Sequence, residues 1–337
     1  MDIQLFKEIL SIDSTSSREG EMAQFLASRL KTAATSEVRL MPVGDGTYNL
    51  MLTWGRPRVM FCTHMDTVPP YIPPVFEDDR VSGRGTCDAK GQIMALYGTC
   101  LELERRGKKD FGLLLLAGEE TGSIGAKHFN RSGEGCEYLI VGEPTDCKMA
   151  SAAKGTKSFH LTVGGKSCHS GYPENGCSAV ETFMDFMNAL RGLDFESDPL
   201  LGDTTWNVGK LVSDNPKNIL SDDVQCDIYF RTTFATDSHV EPKLRELIGS
   251  RPEWTGRIGL EAFGGDCPSR FLTFDGMPAA PVAFGSDAPQ LAHFGKKILC
   301  GPGSILVAHT DKEYVMLSEI ERATRLYLDM YERTEGK

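Results

Sequence analysis

One ten-residue stretch restricts the folds open to this chain more than any other. Phe111 to Glu120, FGLLLLAGEE, is an apolar run that ends in two adjacent carboxylates. Leu113 to Leu116, bounded by Gly112 and Gly118, has the length and the lack of alternation of a central strand buried on both faces. A buried strand has no use for Glu119 and Glu120 at its tip, because an unpaired carboxylate is costly to desolvate. Open α/β sheets take up ligands in the crevice at the carboxyl ends of their strands, so the pair reads as part of a site. A solvated loop is the plainer account of an isolated Glu-Glu pair. The other strands decide between the two.

Three of them end in the same way. Arg58 to Thr63 runs into His64-Met65-Asp66, and Glu137 to Val141 runs into Gly142-Glu143-Pro144-Thr145. Lys297 to Cys300 leads through Gly301-Pro302-Gly303 towards His309, and Asp88 stands at the mouth of a predicted helix from about Ala89 to Arg106. Helices are also predicted over 2–11, 19–31 and about 318–331, with Ser16 and Glu19 at capping-box spacing. Each polar residue has a structural alternative. Asp88 can cap its helix, Asp66 can cap a turn, and His64, Glu143 and His309 can be ordinary strand-end or loop residues. Their joint placement on one sheet edge favours a common site. Imidazole and carboxylate together suit zinc, and the same ligand preferences admit manganese or cobalt.

From about Lys154 the pattern changes. Phe159, Leu161 and Val163 alternate with polar residues, as in a strand with one exposed face. A helix (about 178–190), two strands (205–211 and 223–231), another helix (240–248) and a strand (257–262) complete a β-α-β-β-α-β order, which is that of a ferredoxin-like unit. This predicts an α/β domain of residues 1–152 and 267–337, with a mixed, mostly parallel sheet flanked by helices, and an inserted α+β domain over 153–266.

Composition removes several function classes. The 47 acidic residues against 36 Lys plus Arg leave a formal charge of −11, and no basic run carries interleaved aromatics, which disfavours a nucleic-acid binder. The N-terminus has no basic segment followed by an apolar one, so no signal peptide is expected, and no apolar run has the length of a membrane span. Ten cysteines without a Cys-x-x-Cys pair fit a reducing cytoplasm rather than a disulfide scaffold or a zinc ribbon. A nucleotide-binding reading of Gly83 and Gly85 fails, because no third glycine follows at the required spacing and no P-loop lysine motif is present.

His64-Met65-Asp66-Thr67-Val68-Pro69, Gly83-Arg84-Gly85-Thr86-Cys87-Asp88-Ala89-Lys90-Gly91, Gly118-Glu119-Glu120, Gly142-Glu143-Pro144-Thr145 and Gly301-Pro302-Gly303 with His309 follow one another in a recognisable order. The chain resembles the co-catalytic zinc metallopeptidase family of acetylornithine deacetylase, succinyl-diaminopimelate desuccinylase, aminoacylase and glutamate carboxypeptidase. The resemblance spans essentially the whole chain. It implies a fold of the di-zinc exopeptidase type whose inserted domain serves as lid and dimerisation domain. It further implies two zinc ions per subunit (cobalt or manganese as substitutes), one held by His64, Asp88 and Glu143 and the other by Asp88, Glu120 and His309. Asp66 would orient His64 through the imidazole nitrogen that does not bind metal, and Glu119 would be the general base.

In the inserted domain, Ser167-Cys168-His169-Ser170 and Pro173-Glu174-Asn175-Gly176 match the family's lid motif. By that resemblance His169 would stabilise an oxyanion in the partner subunit of a homodimer. Asn218 and Arg231 would contact a substrate carboxylate, although Ile219-Leu220 stands where many relatives carry Ile-Pro. The activity implied is deacylation of a small N-acyl amino acid: N-acetylornithine, as in arginine biosynthesis, or acetylcitrulline or succinylornithine. Succinyl-diaminopimelate desuccinylase and a dipeptidase or carboxypeptidase are the alternatives within the family, and a catalytically inactive metal-binding relative is the alternative outside enzymes.

Overall fold

The Leu113–Leu116 run occupies the interior of a six-stranded sheet in the computed structural model, which describes residues 1–335. The strands lie in the order Glu37–Gly44, Thr47–Gly55, Asp110–Leu116, Val59–His64, Tyr138–Val141, Lys296–Leu299. From Asp110–Leu116 to Lys296–Leu299 the pairing is parallel, and Thr47–Gly55 joins the other side antiparallel. The sheet is therefore mixed, as expected, with its parallel part carrying every predicted strand tip.

Apolar runs without alternation form this part because both faces are covered. Phe111, Leu113 and Leu115 lie in one core with Ile93 and Leu96 of the helix Lys90–Arg105 and with Ile320 and Tyr327 of the helix Leu317–Glu335. Phe111 stacks on Trp54 of the neighbouring strand at 4.9 Å between ring centroids. Complete burial of a leucine contributes about 1.5–3 kcal/mol, so the run fixes this strand as the centre of the sheet.

The helix at 19–31 departs from expectation at its start. It spans Gly20–Arg29, Glu19 is its N-cap residue, and no side chain caps it. The Ser16 hydroxyl donates instead to Asp66 Oδ2 at 2.7 Å. That charge-assisted bond holds the Ser16 side chain at the Asp66 carboxylate, and the helix begins without a side-chain cap.

The chain divides into two compact units: Met1–Ser151 with Phe271–Ala280 and Ser286 onward, and Ala152–Arg270 with Pro281–Gly285. The second has a four-stranded antiparallel sheet in the order Thr205–Val212, Asp223–Thr232, Gly155–Gly164, Ile258–Ala262. With the helices Ala179–Arg191 and Val240–Gly249 this is the predicted β-α-β-β-α-β order. Phe159, Leu161, Val163, Ile228 and Phe230 meet Phe186 and Trp254 in its core. The unit extends past residue 266 because Arg270 and Ser269 pair with Ala152 and Ala153, and it takes in the 281–285 segment, where Val282 accepts the N–H of Lys154. No helix among the described residues is long and apolar enough to cross a membrane.

Candidate metal centre

His64 is the last residue of its strand and only 1% exposed. Its Nδ1 lies 2.9 Å from the main-chain oxygen of Asp66. A carbonyl can only accept, so Nδ1 carries a proton and Nε2 is left to face Asp88 Oδ1 at 3.0 Å. Although burial opposes it, hydrogen bonds to Asp66 and Asp88 push the imidazole well above its ordinary range, so without a cation a proton on Nε2 bridges the two groups.

Asp88 follows the Gly83–Cys87 turn and precedes Lys90–Arg105, whose N-cap residue is Ala89. No side chain caps that helix, so Asp88 is free for other work. Its Oδ1 faces His64 and its Oδ2 faces His309 Nε2 at 3.2 Å. Burial raises the Asp88 carboxyl, but hydrogen bonds from His309 and His64 outweigh it and hold the group well below the usual carboxylate range. His309 Nε2 also lies 2.8 Å from Glu120 Oε1. These two carboxylates raise the imidazole to about 10, against the opposing effect of burial.

The Glu119-Glu120 pair is placed by Asp66. After the left-handed turn at Gly118 (φ +64°), the N–H of Glu119 donates to Asp66 Oδ1 at 3.0 Å and that of Glu120 to Oδ2 at 3.2 Å. Asp66 Oδ1 is 3.4 Å from His64 Nδ1, farther than the Asp66 carbonyl. The Asp66 main chain thus meets the imidazole, while its carboxylate anchors the loop of the two acids. Burial, joined by the charges of Asp287, Glu120 and Asp88, pushes the Glu119 carboxyl well above its ordinary range, with His64 opposing.

Glu143, 4% exposed, stands just beyond Tyr138–Val141, and burial raises it strongly too. His309 arrives on the Gly301-Pro302-Gly303 loop. At Gly303 (φ +78°) a Cβ would come within 2.6 Å of Cys87 Cβ, so the close passage of this loop past the Asp88 turn requires glycine.

Three sets of side chains bring possible ligand atoms within 4.8 Å of one another: His64, Asp88 and Glu143; Asp88, Glu120 and His309; and His64, Glu119 and Glu120. Carboxylates crowded in a low-dielectric pocket cannot all ionise unless cations compensate them, and a divalent ion inverts the pKa shifts that burial imposes. Neutral imidazole and carboxylate around a shared aspartate form a donor set suited to two such ions.

Asp287 lies outside every motif of the chain. It is 2% exposed, and its charge raises Glu119, Glu143 and Cys62. Its one sequence signal is that it is the sole charged residue between Met277 and Phe294 apart from His293.

The other predicted residues lie in the second unit. His169 and Asn218 are exposed and adjoin: Ser170 N–H donates to the Asn218 carbonyl at 3.0 Å, and His169 bridges to Ile219. Arg231, on Asp223–Thr232, stacks over Tyr229 with 4.9 Å between the guanidinium carbon and the ring centroid.

Residues 60–333 match peptidase family M20/M25/M40. A peptidase M20 domain-containing protein of Schizosaccharomyces pombe is 33% identical, over 94% of this chain and 81% of its own. A probable carboxypeptidase of Aspergillus clavatus is 29% identical over 98% and 88%. An M20 family metallo-carboxypeptidase from Sulfolobus solfataricus shares the fold at a TM-score of 0.78, with 15% identity and 98% of each chain covered.

Proposed function

The chain belongs to peptidase family M20/M25/M40, and on that premise we propose that it is a di-metal amidohydrolase releasing an amino acid with a free carboxylate. The observation that carries this reading is Asp88, whose two carboxylate oxygens face His64 and His309 from within two overlapping ligand sets. His64, Asp88 and Glu143 would hold one ion, and Asp88, Glu120 and His309 the other. Two zinc ions suit these donors, with cobalt or manganese as substitutes. When bound, such a pair polarises the scissile carbonyl and acidifies water.

Glu119 acts as general base, taking a proton from the attacking water and passing it to the leaving amine. Burial and carboxylate neighbours raise its pKa where no cation is bound, and bound cations would offset that rise. Asp66 keeps that carboxylate in place through the amides of Glu119 and Glu120 and holds His64 in one tautomer through its carbonyl. In the second unit, which acts as lid and dimerisation domain, His169 stabilises the oxyanion of the partner subunit, and Asn218 and Arg231 bind the substrate carboxylate. The enzyme works as a cytoplasmic homodimer.

An N-acyl amino acid and a C-terminal peptide bond share the same leaving group, an amine on a carbon that bears a carboxylate. The sequence resemblance favours a small acyl group, as in N-acetylornithine, acetylcitrulline or succinylornithine. Relatives called probable carboxypeptidases favour a peptidyl group. Hydrolysis of N-acetylornithine, N-succinylornithine, N-succinyl-diaminopimelate, a dipeptide and an N-blocked dipeptide, compared side by side, assigns the acyl group. Amidated counterparts should be poor substrates. No turnover of any of them with zinc, cobalt or manganese supplied would sink the proposal and leave the inactive metal-binding relative.

A further inference from the structure

Two ligand-bearing loops of the first unit meet over a buried ion pair. Arg84 lies four positions before Asp88, and Glu313 four positions after His309. Their side chains are 3% and 0% exposed, and Arg84 Nη1 donates to Glu313 Oε2 at 2.6 Å. Both side chains also bond to the ligand loops, while Arg84 Nε donates to the Pro70 carbonyl at 3.3 Å. Glu313 Oε1 accepts the backbone N–H groups of Cys87 and Asp88, each at 3.2 Å. Arg84 Nη1 also donates to the carbonyl of Thr310 at 3.1 Å, the residue next to His309. The main chain repeats the tie, since Gly83 N–H donates to the Glu313 carbonyl at 3.0 Å. Gln92 adds another, with Nε2 donating to the Cys87 carbonyl at 2.8 Å and to the Pro302 carbonyl at 2.7 Å.

A buried ion pair is a poor source of net stability, because desolvating two charges offsets most of their attraction. What this pair does supply is direction. It fixes the peptide from which the Asp88 side chain projects. It also fixes the peptide that follows His309, whose own backbone is held in the left-handed region at φ +64°, a conformation that surrounding contacts must enforce in a residue with a side chain.

We propose that Arg84 and Glu313 are positioning residues that clamp the Asp88 turn to the His309 loop, so that one carboxylate faces both ligand sets before any ion arrives. The proposal rests on the reading of Asp88 as the shared metal ligand. It differs from that reading in placing the cause of the shared geometry outside the ligands themselves.

The test is Glu313→Gln, which keeps the size and an acceptor oxygen but removes the charge, measured by zinc titration against a chromophoric chelator. Loss of a residue that orients metal ligands lowers metal affinity by about 10- to 100-fold. Here the loss should strike both ions together, because Asp88 serves both. Affinity equal to that of the unaltered chain, or loss of one ion alone, overturns the clamp. Glu313→Gln leaves Arg84 without its counter-charge, so the double variant Arg84→Met/Glu313→Gln is titrated beside it, with the same weakening expected. On the unaltered, metal-stripped protein, hydrogen exchange at Cys87 and Asp88 should be as slow as in the strand Val59–His64. Exchange as fast as an exposed loop overturns the proposal whatever the variants do. Failure of the unaltered chain to bind two ions would instead defeat the functional reading, and the exchange result would still decide the clamp.

Discussion

The candidate residues of the two units differ in how far their own surroundings fix them. In the first unit, the His64, Asp88 and Glu120 side chains are 1%, 6% and 9% exposed and that of His309 is 48% exposed, but each has a polar partner within 3.0 Å. In the second, His169 and Asn218 are exposed on adjoining loop segments, and the His169 ring accepts the N–H of Gly171 and lies tilted against Tyr172. The first set is a preorganised electrostatic cluster whose parts compensate one another. The second is a set of side chains with few fixed partners in their own unit among the described residues. A substitution in the first set should therefore alter chemistry or metal content, and one in the second should alter only how substrate and transition state are engaged.

Substitutions can break this contrast. The largest effect is expected for Glu119→Gln, which should lower kcat by about 10²- to 10⁴-fold while metal analysis still finds two ions per chain. Loss of metal along with activity would move Glu119 from the base to the ligands. His169→Ala should follow, lowering kcat by about 10²- to 10³-fold with no change in melting temperature. If His169 serves the partner subunit, mixing His169→Ala with Glu119→Gln subunits should restore activity that neither has alone. No restoration would confine His169 to its own chain.

Arg231→Ala should act on KM, raising it by about 10- to 100-fold for a substrate with a free carboxylate, the cost of one charged hydrogen bond. The amidated substrate should be indifferent. An equal effect on both would remove Arg231 from carboxylate recognition.

The smallest effect concerns pH. Glu119 must be ionised to accept a proton, so the rate falls as pH falls through its pKa. Where no cation is bound, burial, with Asp287 among the charges that add to it, holds that pKa above the ordinary glutamate range. Bound cations oppose that shift, so the acid limb of the kcat profile should lie below the pH at which Glu119 titrates in the metal-stripped protein. Asp287→Asn, by removing one raising charge, should move it to lower pH; a limb that stays in place would free Glu119 of the influence of Asp287.

What the sequence shows of this site follows from range. Buried strands announce themselves through unbroken apolar runs, and acids at their ends conflict with that environment, so Glu119, Glu120 and Glu143 are visible locally. The β-α-β-β-α-β alternation of the second unit is visible for the same reason. His309 stands far from its strand and is found only through the order of motifs. The pairing of Arg84 with Glu313 across 229 positions carries no local pattern, and Asp287 has only its isolation among uncharged neighbours, because tertiary contact alone gives them meaning. Ser16 shows the reverse: its local capping pattern is real, and a distant carboxylate overrides it. The strands Ser269–Arg270 and Ala279–Val282 are too short to carry a period.

The strand order also sets the lengths of the loops. Adjacent strands lie about 4.8 Å apart, whereas two metal ions acting together sit only about 3.5–4 Å apart, so four parallel strand ends cannot converge by themselves. His64 is the terminal residue of its own strand, and its two neighbours need short reaches: Glu143 stands two positions past Val141, and Glu120 four past Leu116. The outermost contributor, Lys296–Leu299, is one strand farther away, and its histidine comes ten positions later. The glycine-rich span before His309 is thus a bridge cut to a distance, which should accept changes in side chain along its exposed stretch more readily than changes in length. Deleting a single residue between Gly303 and His309 should cost more than replacing Leu306, the most exposed apolar side chain on it.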